Sequence, residues 1–198
     1  MERDLILQLY RENIKTLITF TDEEWNVFIE FLKIKKLNKN EYFIENGKVC
    51  NEMAFIVKGS VRYCSLIDGQ EITGYFSFEN TFVTALKSYH TGEQCMYDIK
   101  TLEKTIFVTI LKRDMQAMLD HSLLSYKMER FGRLISEKFN ILFEDRIKSF
   151  VVKTPEERYL DLLQSGHDIV KRIPLHYIAQ FIGVTPVSLS RIRKRILS

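Results

Sequence analysis

The chain is short of cysteine, and its three thiols, Cys50, Cys64 and Cys95, stand 14 and 31 positions apart. That spacing fits neither a disulfide framework nor a C-x-x-C metal or redox site, so reduced thiols are expected. No apolar run approaches the roughly 18 residues that a membrane-spanning helix needs. The first 12 residues carry three acids and lack the basic, then apolar, then small order of a secretory signal. A cytoplasmic protein without a membrane partner is expected. Neither a G-x-G-x-x-G nor a Walker loop occurs. Of His90, His121, His167 and His176 only His90 falls in the β-rich part, so a cupin-type metal site cannot be assembled there. Ser188 and Ser190 have no base to activate them. No enzyme activity, cofactor or metal is expected.

What is present is enough for a core. Of 198 residues 45% are apolar and 28% charged, which suits a globular chain of one large or two small domains. The net charge of +3 conceals a division. Residues 171–198 hold six basic side chains (Lys171, Arg172, Arg191, Arg193, Lys194, Arg195) and no acid, leaving 23 basic residues against all 26 acids in the rest. A basic end on a mildly acidic body points to a polyanionic partner, with a merely solvated face as the alternative.

Thr21-Asp-Glu-Glu24 is a capping box, flanked by Phe20 and Trp25 at the staple positions, and predicts a helix start; an earlier helix is expected over 3–16. From about residue 33 the period changes to short β-prone runs, at 42–45, 53–58, 60–67, 71–76, 97–102 and 105–111. Asp68-Gly69 is the clearest hairpin signal among them. Such spacing implies an all-β sandwich or barrel. A short helix follows at 112–119. Residues 122–152 then contain no proline or turn cluster, which permits one long helix. Leu124, Met128, Phe131, Ile135, Phe139, Leu142 and Phe143 form a stripe along it. The stripe either packs on its own domain or forms a dimer seam; the helix is too long for a small barrel to cover alone, which favours the seam. Thr154-Pro155 marks the next helix start and a new domain.

The most specific string is LHYIAQFIGVTPVSLSRIRK, residues 175–194. Ile178 and Ile182 supply the buried face of a first helix, Ala179 is small where a second helix crosses, and Gly183 supplies a left-handed turn residue. Val184 fills the space between the helices, Thr185 caps the second with Pro186 at its first position, and Leu189 and Ile192 turn inward. Pro186, Val187, Ser188, Ser190, Arg191, Arg193, Lys194 and Arg195 remain outward. The string reads as a helix-turn-helix whose second helix presents a DNA-reading face, with an amphipathic helical hairpin whose Arg and Lys are merely solvated as the alternative.

Taken with Gly47, the run FIVKGSVRYCSLIDGQE (55–71) and TPEERYLDLL (154–163), the chain resembles the Crp/Fnr family of bacterial transcription regulators. The resemblance implies an α+β chain: a double-stranded β-helix, or jelly-roll, sensor over 1–120, a dimerisation helix over 121–152, and a winged-helix-like helix-turn-helix domain over 153–198. It implies a homodimer on a palindromic site in double-stranded DNA, with RNA polymerase and an unidentified small-molecule effector as further partners. The dimer interface then falls on Leu124, Met128, Phe131, Ile135, Phe139 and Leu142. Base reading falls on Arg191, at a position where the resemblance implies a major-groove contact, with Val187 and Ser190 beside it. His176, Thr185, Ser188, Arg193, Lys194 and Arg195 are the expected phosphate anchors.

Two departures stand out. Members that bind cyclic AMP resemble one another in a cassette with a Gly-Glu pair and a later arginine, whereas residues 80–103 contain no arginine; Gly92-Glu93 imitates half the cassette. Cyclic AMP is therefore not the expected effector. Val187 stands where better-known members carry an acid that reads cytosine, which implies a different target sequence. Little length remains after the second helix for a further wing. The competing function is a protein-interaction module with a jelly-roll domain and a vestigial helix-turn-helix, which salt-sensitive DNA binding distinguishes.

Overall fold

The computed structural model describes residues 1–166 and 169–197, the last of these by its backbone alone. His167 and Ser198 lie outside the described residues. Helix α1 (Arg3–Ile14) and helix α2 (Asp22–Phe28) come first. At the start of α2 the Glu24 N–H donates to Thr21 Oγ1 at 3.2 Å and the Thr21 N–H donates to the Glu24 carboxylate at 2.6 Å. The Phe20 and Trp25 rings meet at 6.0 Å, completing the staple.

The β-rich part consists of β1 (Lys33–Leu37), β2 (Tyr42–Ile44), β3 (Glu52–Lys58), β4 (Val61–Ile67), β5 (Gln70–Ser77), β6 (Phe82–Val83), β7 (Asp98–Thr101) and β8 (Thr105–Leu111), with helix α3 (Leu86–Thr91) after β6. They form two four-stranded antiparallel sheets, ordered β1-β8-β3-β6 and β2-β7-β4-β5. The expected sandwich or barrel is thus a sandwich, and its sheets do not close. Asp68 and Gly69 both have positive φ, 49° and 77°, as a type I′ turn between β4 and β5 requires. Alternate residues of β3 and β8 face different cores. Ala54, Ile56 and Phe107 point between the sheets, with Phe43, Val61, Val83 and Ile99. Met53, Phe55, Ile106, Val108 and Ile110 point outward under the helices. A sheet buried on both faces explains why these strands read as unbroken apolar runs rather than alternating ones.

Three elements escape the sequence pattern. β1, KIKKL, is a charged edge strand, and its lysines are the sort of residue that keeps an edge from pairing with another chain. β6 is two residues long, too short for any periodicity, and α3 occupies one turn and a half. After β8 every described element is helical, so the wing implied by the resemblance has no strand among the described residues.

Helix α4 (Lys112–Leu119) leads into α5 (Ser125–Val152), 28 residues and about 42 Å long. The first half of α5 packs across α1 and α2 onto the outer face of the first sheet. Leu124, Met128, Phe131, Ile135 and Phe139 are each at most 8% exposed, in one cluster with Ile6, Tyr10, Phe28 and Phe55. Five of the six residues expected at a dimer seam are therefore inside the protomer; Leu142 alone stays exposed. The expectation failed because the N-terminal helices, not the sandwich alone, supply cover for the stripe. Phe131→Ala is expected to cost about 3 to 5 kcal/mol in urea unfolding, the usual penalty for emptying a fully buried aromatic site; a cost below about 1 kcal/mol would contradict this packing.

Candidate nucleic-acid interface

The C-terminal part contains α6 (Pro155–Gln164), α7 (Ile169–Arg172), α8 (Leu175–Ile182) and α9 (Pro186–Leu197). A second capping box, Thr154 with Glu157, and Pro155 at the first helical position start α6. Residues 183–185 join α8 to α9. Gly183 has φ +76°, and a Cβ there would stand 3.0 Å from the Phe150 ring of α5, so both conformation and close approach select glycine. The Val184 N–H donates to Ala179 O at 2.9 Å, closing the end of α8. Thr185 Oγ1 accepts the Ser188 N–H at 3.2 Å, capping α9. Ile178, Ala179, Ile182, Leu189 and Ile192 are buried together against Tyr159, Leu162 and Ile173.

This packing turns one face of α9 to solvent. Val187 is 63% exposed, and Ser190, Arg191 and Lys194 are exposed beside it. Arg191 and Lys194 make no ion pair among the described residues. Ser190 Oγ donates back to Pro186 O at 3.0 Å. The expected phosphate anchors are less uniform. Thr185 is exposed, and its hydroxyl shares a 3.0 Å hydrogen bond with that of half-buried Ser188. Arg195 pairs with Glu156 at 2.7 Å, and Arg193 is half-buried, with its Nε enclosed and lacking an acceptor. His176 is exposed at the start of α8, its ring 4.0 Å from that of Tyr177.

The helical pair does not stand apart from the sandwich. β5 is an edge strand, and α8 lies along it. Gln180 accepts the Thr73 N–H at 3.0 Å and donates to Glu71 O at 2.9 Å, so one side-chain amide serves as the missing neighbouring strand. Arg146 of α5 donates from one nitrogen to Gly74 O at 2.8 Å and Phe181 O at 2.7 Å. Buried Arg62 of β4 pairs with Glu71 and lies 4.2 Å from the Tyr177 ring centre. Arg172 takes both Glu79 oxygens, at 2.8 and 3.0 Å, and also pairs with Glu103. Phe76, Phe78 and Leu102 of the sandwich share one apolar cluster with Ile169, Ile173 and Ile178. Sequence reasoning missed these contacts. It counted Arg172 and Arg195 toward a charge for a polyanion, although both are engaged with carboxylates of the same chain. Arginine spacing carries no sign of which acid it meets.

Below this junction lies a cavity of about 1240 Å³, bounded by β5, α3, α5 and the C-terminal helices. On its α3 side, Gly92 ends the helix in the left-handed region and Lys87 pairs with Glu93 at 2.6 Å. The Gly-Glu pair is thus a helix stop beside a surface ion pair.

Residues 34–122 match the protein family described as the cyclic nucleotide-binding domain. The sandwich carries the cyclic nucleotide-binding domain fold. Comparison with curated proteins gives no match. Among solved structures, FixK2 from Bradyrhizobium japonicum superposes with a TM-score of 0.66 at 16% identity, covering 83% of this chain and 84% of that one. CLP, a c-di-GMP responsive global regulator of Xanthomonas campestris, gives 0.65 at 14% identity, covering 87% and 89%. A protein assigned to the crp/fnr family of transcriptional regulators, from Eubacterium rectale, gives 0.63 at 16% identity, covering 90% and 84%. The likeness extends beyond the cyclic nucleotide-binding domain through α5 into the C-terminal helices, and at these identities it is a likeness of fold.

The Arg172 contacts have an acid limit. Desolvation works to raise the Glu79 carboxyl, but the hydrogen bonds from Arg172 and from backbone N–H groups outweigh it and hold it below the ordinary carboxylate range. Their contribution is full above the pKa of an unfolded carboxyl and fades as pH falls through the lower folded value. Wild-type protein is expected to lose more Tm between about pH 6 and about pH 3 than Glu79→Gln does. Equal losses would remove Glu79 from the acid response.

Proposed function

We propose that this chain is a transcription regulator of the Crp/Fnr type, binding double-stranded DNA as a homodimer. The observation that carries the reading is the solvent-facing row Val187, Ser190, Arg191 and Lys194 on α9, held on a glycine turn and a buried α8–α9 core. Small residues near the N-terminus of a helix permit close groove approach, and basic ones further along meet phosphates. Arg191 reads a guanine edge through its planar fork, Val187 meets a thymine methyl and Ser190 adds a hydrogen bond. Lys194, Thr185, His176 and, through their still accessible edges, Ser188, Arg193 and Arg195 fix register on phosphates. RNA polymerase and an effector are the remaining partners of this reading.

For the homodimer we infer a seam different from the buried stripe. Past Phe139, α5 leaves the core, and Phe143, Ile147 and Val151, spaced by four, are 50%, 66% and 78% exposed. Gly132 and Ser136 continue the same face toward the N-terminus. A Cβ on Gly132 would meet nothing within 4 Å, so packing within the protomer does not call for glycine there, whereas a second helix crossing closely does. The effector of this reading occupies the cavity, and it is other than cyclic AMP, because residues 80–103 lack the arginine by which the family's cyclic AMP-binding members are expected to hold the cyclic phosphate, and the cavity's guanidinium, Arg146, comes from α5 instead.

Site selection from a random DNA pool tests the function and is expected to return a palindrome. Arg191→Ala is expected to cost about 1 to 3 kcal/mol on that site and to relax one base pair per half-site, while Lys194→Ala weakens specific and random DNA equally. Unchanged base preference in Arg191→Ala would overturn the assignment of roles. Ile147→Glu is expected to yield monomers by light scattering, and weaker DNA binding with them, since a carboxylate buried at a seam costs several kcal/mol; a wild-type monomer at micromolar concentration would refute the homodimer.

A further inference from the structure

The walls of the cavity are aromatic, with Tyr63, Tyr75, Phe76, Phe82, Phe139 and Phe181 facing it. Its volume exceeds the roughly 300 to 1,000 Å³ usual for small-molecule pockets. Against this apolar lining Arg146 stands out. Its guanidinium lies 3.7 Å from the centre of the Phe181 ring and 4.3 Å from that of Phe150. Nη2 is committed to Gly74 O and Phe181 O, while among the described residues Nε and Nη1 meet no acceptor and no carboxylate forms an ion pair with Arg146.

The charges around it do not supply the missing anion. Arg158, also at the wall, directs its hydrogen bonds to the carbonyls of Ser149, Lys153 and Ile182. Asp161 is held by Lys153 at 2.6 Å, and Lys87 by Glu93. Asp145 is exposed, as is His90 on the α3 side. Burial pushes Arg146 down to about 10, with Arg158 adding to the effect against an opposing influence from Tyr75. Arg146 is half-buried on the wall of a largely apolar, half-open cleft, so its uncommitted donors are within reach of an anion delivered by a ligand.

We propose that this cavity binds an amphipathic carboxylate, its anionic group taken by the remaining donors of Arg146 and its apolar body lying along the aromatic walls. The proposal rests on reading the cavity as the effector site and adds the chemical class of the effector. Of the other cations at the wall, Lys87 is paired with Glu93 and Arg158 is spent on carbonyls, which leaves Arg146 for the one charged end of a ligand whose body meets a mainly apolar surface.

Calorimetry on the full chain with decanoate, and with decanol as its uncharged counterpart, tests this. Decanoate is expected to bind at least about tenfold more tightly than decanol, as a charge-assisted contact requires. Arg146→Gln should remove that preference and Arg146→Lys should keep part of it. Equal affinities for the two probes, no binding of either, or a preference that survives in Arg146→Gln would each overturn the proposal. The wild-type comparison needs no variant to fold. DNA binding is followed separately by gel shift: a chain that prefers decanoate but ignores DNA upholds the ligand class and refutes the regulator. Cyclic AMP binding without decanoate binding refutes the ligand class and leaves the regulator standing.

Discussion

The unpaired edge of β5 is the constraint around which the molecule is arranged. An edge strand exposes N–H and C=O groups that seek partners, and here side chains take the place of another strand. Gln180 satisfies Thr73 and Glu71, and Arg146 satisfies Gly74. Because Gln180 belongs to α8 and Arg146 to α5, closing this edge also fixes where α8 lies relative to the sandwich and to the long helix. The orientation of α9 follows, since α9 is packed on α8 through Ile178, Ile182, Leu189 and Ile192. The ion pairs of Arg172 and the stacking of Arg62 on Tyr177 reinforce a junction whose geometry the backbone edge already defines.

Legibility in the sequence followed the range of the forces involved. The capping box at Thr21, the helix start at Thr154-Pro155, the Asp68-Gly69 turn and the Gly183 C-cap are local, requiring a few residues and a backbone conformation, and they stand where the sequence placed them. The outward row on α9 was legible for the same reason, because helical period alone separates Val187 and Arg191 from Leu189 and Ile192. Partners distant in sequence were not legible. Nothing in the string around Gln180 shows that it meets a strand more than 100 residues earlier, and nothing around Phe131 shows that Phe28 covers it. Strand β1 was hidden by its lysines, whose charge suits an edge and obscures the strand period.

Arg146 sits where three influences converge: the sandwich edge, the end of α8 and the cavity. Its two carbonyl partners belong to different parts of the fold, so the same nitrogen holds them a few ångströms apart. Removing that guanidinium would therefore release a sheet edge and a helix end together.

Helix α5 divides its length between two tasks. Its first half is built into the protomer's own core through Met128, Phe131, Ile135 and Phe139, whereas its second half emerges with Phe143, Ile147 and Val151 uncovered. The chain therefore has a complete hydrophobic core before it meets any partner. In the proposed homodimer, association through the emerging half would join chains that are already folded, so the folding equilibrium of the sandwich would be separated from protein concentration, and dilution would dissolve the assembly without dismantling its parts.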